Sequence, residues 1–408
     1  MKKVFSFCEQ VFVVFSLQLY SGGIIYLILS GGASQGEQLE SPPDYALARQ
    51  LLLVIYAITI FLLFLRWRRT LYFLSKDKFI SPLIIIAIIS ILWSDNPTRT
   101  FNGNVALLGT TAFGVYLATR YSLKQQLQLL GWTFVVAIIL SLIFAVALPK
   151  YGIMSGIHTG SWRGIYTHKN VLGKMMVIGA SVFWLLAIFS PKNRWLYWFS
   201  FGLSVLLILL STSKTSFLNL IIMLAIFTVC HLFRWQEEIM LSGIMALLLV
   251  GSVLSIYITF NAEFFVKLLG KDLTFTGRIP LWLAILDLIK KNPWIGYGYN
   301  SLWDSWDSVT AYVWFVVGGW EAPSAHNGFL DLLLALGLLG FLIFLFGFLY
   351  NFAKSIIQLR LIKTVDGFWP IMFMVYFILA NLSETSLMQP NNIFWIIYVK
   401  IAFTLLAL

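Results

Sequence analysis

The feature that most constrains this chain is a succession of long apolar runs separated by short polar breaks. Runs bounded by charge, Pro or Gly clusters fall at about 11–29, 50–65, 79–93, 104–119, 127–148, 170–189, 195–212, 215–233, 239–260, 328–349, 367–382 and 392–408. A helix needs about 20 apolar residues to cross the hydrocarbon core of a bilayer. Runs of 15 or 16 residues cross only if their flanks snorkel or the bilayer thins locally. The chain is 60% apolar and only 11% charged, which excludes an ordinary soluble enzyme. The expected fold is all-α: one polytopic membrane domain over 1–408, with about 12 transmembrane helices.

A formal net charge of +11 normally invites a nucleic-acid partner, but in such a chain it must first be divided between the two sides of the bilayer. If the N-terminus lies inside, the inner connections hold fifteen Lys and Arg, from Lys2 to Lys363. The short outer loops hold six: Arg49, Arg99, Lys150, Arg163, Lys169 and Lys214. Both termini are therefore expected in the cytoplasm, the positive charge is mostly topology, and membrane lipids rather than nucleic acid are the expected contacts. The apolar start is long for a signal peptide and reads as an uncleaved first span. Cys8 and Cys230 lie far apart and imply neither a disulfide framework nor a thiolate metal site.

No repeat of 20–50 residues and no matched pair of interrupted helices is evident. Polar content is concentrated on the outer side, above all in the long connection 261–325 between the ninth and tenth runs. Nine aromatics between Asn292 and Ala325 argue against disorder there. Thr276-Gly277-Arg278-Ile279-Pro280 precedes a stretch in which Trp282, Ile285, Leu286 and Ile289 recur at helical spacing, and Pro293 ends it. This helix is too short to span and is expected to lie along the membrane surface. Arg278 then sits at a helix N-terminus, where it either binds an anion or snorkels to headgroups.

The outer loop 149–170 holds His158, Arg163, His168, Lys150 and Lys169 with no carboxylate. Such a loop suits a phosphate or pyrophosphate, or alternatively a lipid headgroup. His326 stands at the start of the tenth run, where an imidazole can serve as a general base or simply cap the helix. Asp331, five residues on, does not share its helix face cleanly. Trp294, Tyr297, Tyr299, Trp303, Trp306, Tyr312, Trp314 and Trp320 form either an interfacial belt or a glycan path. No outer segment has an Asp-x-Asp pair or metal-ligand spacing, so anion chemistry is assigned to cationic side chains and no metal or cofactor is expected. Ser211-Thr212-Ser213-Lys214 matches Ser-x-x-Lys only formally.

Several of these residues recur together in one family. Trp-Ser-Asp-Asn-Pro at 93–97, Trp162-Arg163-Gly164 with His168-Lys169-Asn170, Ser213-Lys214, Thr276-Gly277-Arg278 with Asn292-Pro293 and Gly296-Tyr297-Gly298-Tyr299, and Ala325-His326-Asn327 appear in order. From about residue 80 onward the chain resembles the O-antigen ligase and exopolysaccharide polymerase superfamily, with the Trp-Arg-Gly and His-Lys-Asn forms closer to the exopolysaccharide polymerases.

The resemblance implies a metal-independent, inverting glycosyltransferase of the bacterial inner membrane, its active site facing the periplasm and 261–325 forming a large periplasmic loop. The donor it implies is a glycan on undecaprenyl pyrophosphate, and the acceptor another lipid-linked glycan or lipid A core. Carried over by motif, the pyrophosphate-binding arginines fall on Arg163 and Arg278 and the catalytic histidine on His326, with His168 and Lys169 assisting on the donor side. Glu321 and Asp331 are carboxylates that could share the base's role. Polymerisation of surface polysaccharide repeat units is the leading expectation, ligation to lipid A core the first alternative, and a lipid-linked sugar flippase or transporter the second. A transporter should place ionisable groups at the bilayer midplane. Here only Lys174 and Lys400 are candidates, while the reactive residues collect on one side, which favours an enzyme.

Overall fold

The computed structural model describes residues 2–33, 43–260, 278–362 and 364–406. Among them the regular structure is helical, apart from an antiparallel bridge between Ile153 and Trp162. The helices are α1 (Lys2–Tyr20), α2 (Ile24–Leu29), α3 (Ala46–Phe64), α4 (Trp67–Lys76), α5 (Ile80–Ile89), α6 (Pro97–Arg120), α7 (Leu123–Ala147), the single turn α8 (Pro149–Gly152), α9 (Lys169–Phe189), α10 (Arg194–Leu210), α11 (Lys214–Phe233), α12 (Glu237–Phe260), α13 (Arg278–Lys291), α14 (Ala311–Val316), α15 (Gly328–Leu361), α16 (Val365–Ser383) and α17 (Ile393–Leu405).

Among the described residues, six helices are long and apolar enough to cross a membrane: α3, α7, α9, α11, α12 and α15. Shorter apolar helices accompany them, including α10 and α17. This architecture is consistent with a polytopic membrane protein. α9, α16 and α17 are buried on nearly all sides, which is why they read as continuous apolar runs rather than amphipathic stripes. Trp369 and Trp395, on α16 and α17, are among the largest fully buried side chains.

Three elements depart from the pattern of runs. The first run is two helices, α1 and α2, separated by a turn at Ser21-Gly22. The polar stretch after α3 forms the amphipathic α4, which buries Phe73 and exposes its basic residues. The tenth run extends to Leu361 but is interrupted at Gly337, whose φ of 62° lies in the left-handed region. A Cβ there would fall on the Trp294–Ile295 peptide.

The interruption frees backbone groups, and the segment 293–298 takes them up. Tyr297 N–H donates to Leu334 O (3.0 Å) and Gly298 N–H to Ala335 O (2.9 Å). In return, Leu338 N–H and Leu339 N–H donate to Pro293 O (2.7 Å) and Trp294 O (3.1 Å). Broken helices are tolerated at membrane depth only where protein satisfies the freed groups, as it does here. On its other side the inserted segment meets the Trp93–Asp95 turn: Trp93 Nε1 donates to Ile295 O (3.1 Å) and Asp95 N–H to Tyr297 O (2.9 Å). Two motifs two hundred residues apart thus form one clasp that fixes the N-terminal half of α15.

The bundle has two distinct polar ends. At one end the turns before α6, α9, α11 and α15 meet those after α16. At the other, Glu9 of α1 pairs with Arg66 (2.6 Å) and Arg120 (2.8 Å), and Glu237 pairs with Arg360. Cys8 and Cys230 are free thiols.

Candidate active site at one end of the bundle

The helix expected after Thr276 is α13 and begins at Arg278; Thr276 and Gly277 lie outside the described residues. α13 does not simply rest on a membrane surface. Leu281, Ala284, Ile285 and Leu288 are buried with Leu302, Val313, Trp314 and Leu334 in a second, smaller apolar core. Trp282 projects from the same helix and donates its indole N–H to Ala325 O (2.8 Å).

That bond is half of a clamp on the residue before His326. The Ala325 N–H is held by both carboxylate oxygens of Asp331 (3.1 and 3.2 Å), which also accept from Trp303 Nε1 (3.0 Å) and the Thr385 hydroxyl. With its peptide fixed on both sides, the chain turns through His326 at φ 49°, a left-handed conformation costly for a non-glycine residue. Asn327 then caps α15, accepting from Phe329 N–H (3.0 Å) and Leu330 N–H (3.2 Å). Trp320 stacks on the imidazole, ring centroids 5.7 Å apart and planes 11° from parallel. Asp331 is therefore the strut of the His326 turn rather than its ionic partner. Glu321 accepts from Trp306 Nε1 (2.6 Å) and is likewise engaged elsewhere.

The carboxylate beside His326 is Glu384, which follows α16 and which the sequence reading passed over. Its Oε2 lies 3.5 Å from His326 Nδ1 and its Oε1 3.9 Å from Arg278 Nη2. Arg278 Nη1 also donates to Ser383 O (3.1 Å). Gly328 is needed for this approach, because a Cβ there would collide with Asn381 Oδ1. That same oxygen accepts from Ser386 N–H and Leu387 N–H (both 2.8 Å) and shapes the turn that presents Glu384. Burial opposes ionisation of Glu384, but the adjoining His326 imidazole and the charges of Lys174 and Arg278 hold its carboxyl well below the usual carboxylate range. One signal in the sequence could have found it: Glu384 is the sole acidic residue after Asp366.

The carboxylate orders the imidazole. His326 Nδ1 faces Glu384 at ion-pair distance, and both ring nitrogens are buried without a hydrogen-bond partner among the described residues. Next to the pair, Lys174 Nζ donates to Ser386 Oγ (3.0 Å), and a cavity of about 30 Å³ is lined by Lys174, Arg278, Glu384, Asn170, Ser213 and Ser216. The Ser-Lys turn thus serves as cavity wall, with Ser213 Oγ 2.9 Å from Ser216 Oγ.

His168 caps α9, its Nδ1 accepting from Asn170 N–H (3.2 Å). Its Nε2 must therefore carry the proton, and this atom too is buried without a partner among the described residues. Burial lowers the His168 pKa to about 4; Glu384 opposes the shift, and Lys169, His326 and Arg163 reinforce it. The ring is neutral at physiological pH and is a hydrogen-bond donor rather than a cation. Lys169 is more exposed and reaches Thr212 Oγ1 (3.1 Å).

Arg163 sits in different surroundings from Arg278. Its guanidinium is fully buried and donates to Tyr151 O (2.6 Å), Ala33 O (2.8 Å), Lys150 O (2.9 Å) and Gly32 O. A pyrophosphate could reach it only by displacing these carbonyls, so its environment is that of a staple between the 149–163 loop and the turn after α2. The aromatics also divide. Tyr297, Tyr299 and Trp314 are buried, whereas Trp294, Trp306 and Tyr312 are exposed. Among the described residues, no group of three or more His, Cys, Asp or Glu is arranged to hold a metal ion.

An apolar multi-helix bundle with a histidine, a carboxylate and two basic side chains gathered at one polar end is the form of a polytopic membrane protein with a polar site at its surface. Parts of the chain are similar to O-antigen ligases and to an exopolysaccharide production protein. The O-antigen ligase family model matches residues 199–345, a stretch containing Arg278 and His326 but neither Arg163 nor Glu384. Exopolysaccharide production protein ExoQ of Rhizobium meliloti is 23% identical over 304 residues, covering 72% of this chain and 68% of that protein. General O-oligosaccharyltransferase of Acinetobacter baylyi is 44% identical over 71 residues, 16% of this chain and 11% of the relative.

Proposed function

We propose that this protein transfers a glycan from an undecaprenyl-pyrophosphate donor to a sugar hydroxyl, polymerising surface polysaccharide repeat units at the periplasmic face of a bacterial inner membrane. The observation that carries the reading is the convergence of Arg278, Glu384 and His326 from three separate segments. In the reaction, His326 Nε2 takes the proton of the acceptor hydroxyl as that oxygen attacks the anomeric carbon from the face opposite the leaving group. The bond to the pyrophosphate oxygen breaks with its electron pair, inverting the anomeric centre. Glu384 holds His326 Nδ1 and balances the imidazolium. Arg278 meets the charge developing on the leaving phosphate, a type of contact whose loss costs about 3–4 kcal/mol. Lys174 adds a second positive charge across the cavity, and His168 offers its Nε2–H to a phosphate or sugar oxygen.

Twelve crossings with both termini cytoplasmic bring every segment of the site to one side, in line with the fifteen-to-six division of Lys and Arg. Ligation to lipid A core is the second reading, supported by the description of the matching family.

The test is product analysis with purified protein and lipid-linked repeat units, with and without lipid A core. A ladder of lengths without core supports polymerisation, and a single core-linked transfer refutes it. Movement of intact donor across vesicles with no new glycosidic bond would identify a flippase instead. Arg278→Lys should lose most activity, since a point charge does not replace a bidentate fork, and a chelator should leave activity intact. Activity surviving Arg278→Ala, or dependence on added metal, would overturn the mechanism.

A further inference from the structure

We infer that the end of the bundle remote from His326 carries a binding site for the headgroup of an anionic phospholipid, framed by Arg66, Arg68, Arg69 and Arg120. α6 runs from the Asn96 cap beside the 293–304 segment to Arg120, and its 24 residues place the two ends about 36 Å apart. At the Arg120 end, a cavity of about 370 Å³ is lined by these four arginines with Leu65 and Trp67.

Among the described residues, a single carboxylate offsets only part of the charge there. Glu9, 4% exposed, lies beneath the cavity and is bonded to both Arg66 (2.6 Å) and Arg120 (2.8 Å), with the Tyr116 hydroxyl at 3.3 Å. This one carboxylate fixes two guanidiniums as a floor and leaves the group strongly positive. Arg68 and Arg69 form the rim from α4. Their guanidiniums lie over the rings of Trp67 (5.4 Å) and Phe73 (5.8 Å), and neither has an ion-pair partner among the described residues.

The surroundings favour a lipid over a free anion. Phe64, 71% exposed, stands with exposed Phe61, Leu65 and Trp67 at the junction of α3 and α4. An amphipathic helix with a basic face and exposed aromatics lies in the membrane interface, and basic pockets between helices at that level take anionic headgroups. A phospholipid offers both a phosphate for the arginine ring and acyl chains for the flank. Inorganic phosphate satisfies only the first.

The test is native mass spectrometry of the purified full-length protein titrated with phosphatidylglycerol, phosphatidylcholine or inorganic phosphate. Wild-type protein should retain phosphatidylglycerol at least about tenfold better than phosphatidylcholine, and added salt should weaken that retention. The Arg68→Ala/Arg69→Ala double variant removes only exposed side chains and leaves the Glu9 cluster intact. It should lose roughly thirtyfold in phosphatidylglycerol affinity, with phosphatidylcholine unchanged. Equal retention of the two lipids, undiminished binding by the double variant, salt-independent binding, or displacement of the lipid by an equal concentration of inorganic phosphate would each overturn the assignment. None of these readouts depends on glycan transfer.

Discussion

Replacing Arg163 separates a structural role from a substrate-binding one. In Arg163→Ala, four carbonyl oxygens, of Gly32, Ala33, Lys150 and Tyr151, lose a charged donor inside the protein. A hydrogen bond to a charged group contributes about 1.5–3 kcal/mol, and a buried acceptor left bare costs about 1–3 kcal/mol. Water entering the space recovers part of the sum, because the site adjoins a surface loop. The net loss should be about 3–5 kcal/mol of stability. Arg163→Lys, with one ammonium in place of a planar fork, should lose about 2 kcal/mol. The assay is the melting midpoint of detergent-purified protein, with Arg278→Ala as reference. Arg278 is a quarter exposed, approaches Glu384 only to 3.9 Å and donates one hydrogen bond to Ser383 O, so its removal should cost about 1–2 kcal/mol, less than the loss at Arg163. If Arg163→Ala melts like wild type yet no longer binds the lipid pyrophosphate, Arg163 is a ligand and the staple is wrong.

Glu384→Gln should keep the fold and lower kcat about a hundredfold with donor KM little changed, because the carboxylate acts through His326 rather than on the donor; unchanged turnover would remove Glu384 from the mechanism. His168 should leave a signature in stability against pH. The unfolded chain takes up a proton near pH 6.5 that the folded protein, with a pKa of about 4, refuses. The melting midpoint should therefore fall as pH drops from 6.5 to 4, and His168→Asn should flatten that part of the curve. Glu384, its carboxyl held below the usual range, contributes stability that is complete above about pH 4.5 and is lost only as pH falls through its depressed value. Gly337→Ala should cost about 3 kcal/mol or more, from a left-handed φ joined to a collision with the Trp294–Ile295 peptide, and gel filtration should show loss of folded protein.

The broken helix shows where sequence reasoning stopped. From 328 to 349 the run is apolar apart from Asp331, and Gly337, one of its four glycines, carries no signal of a break. What identifies Gly337 as an interruption is the arrival of 293–298 to take up its backbone groups, and that partner is distant in sequence. The same holds for Trp-Ser-Asp-Asn-Pro and Gly-Tyr-Gly-Tyr, legible as motifs but not as two halves of one clasp.

What the sequence determined by itself was everything that follows from solvent and period: an all-helical chain, long apolar runs, a polar end rich in cations, and the importance of Arg278 and His326 as side chains unusual in their surroundings. What only the tertiary structure decided was which of those side chains face one another. Arg163 and Arg278 look alike in sequence, yet one is enclosed by four carbonyls and the other faces a cavity. Glu384 looks like the end of a helix, yet it stands between a histidine and an arginine contributed by other segments. Helix and span are encoded by neighbours a few residues apart, whereas a guanidinium's role depends on whether protein acceptors or solvent surround it, and that is fixed only when distant segments pack.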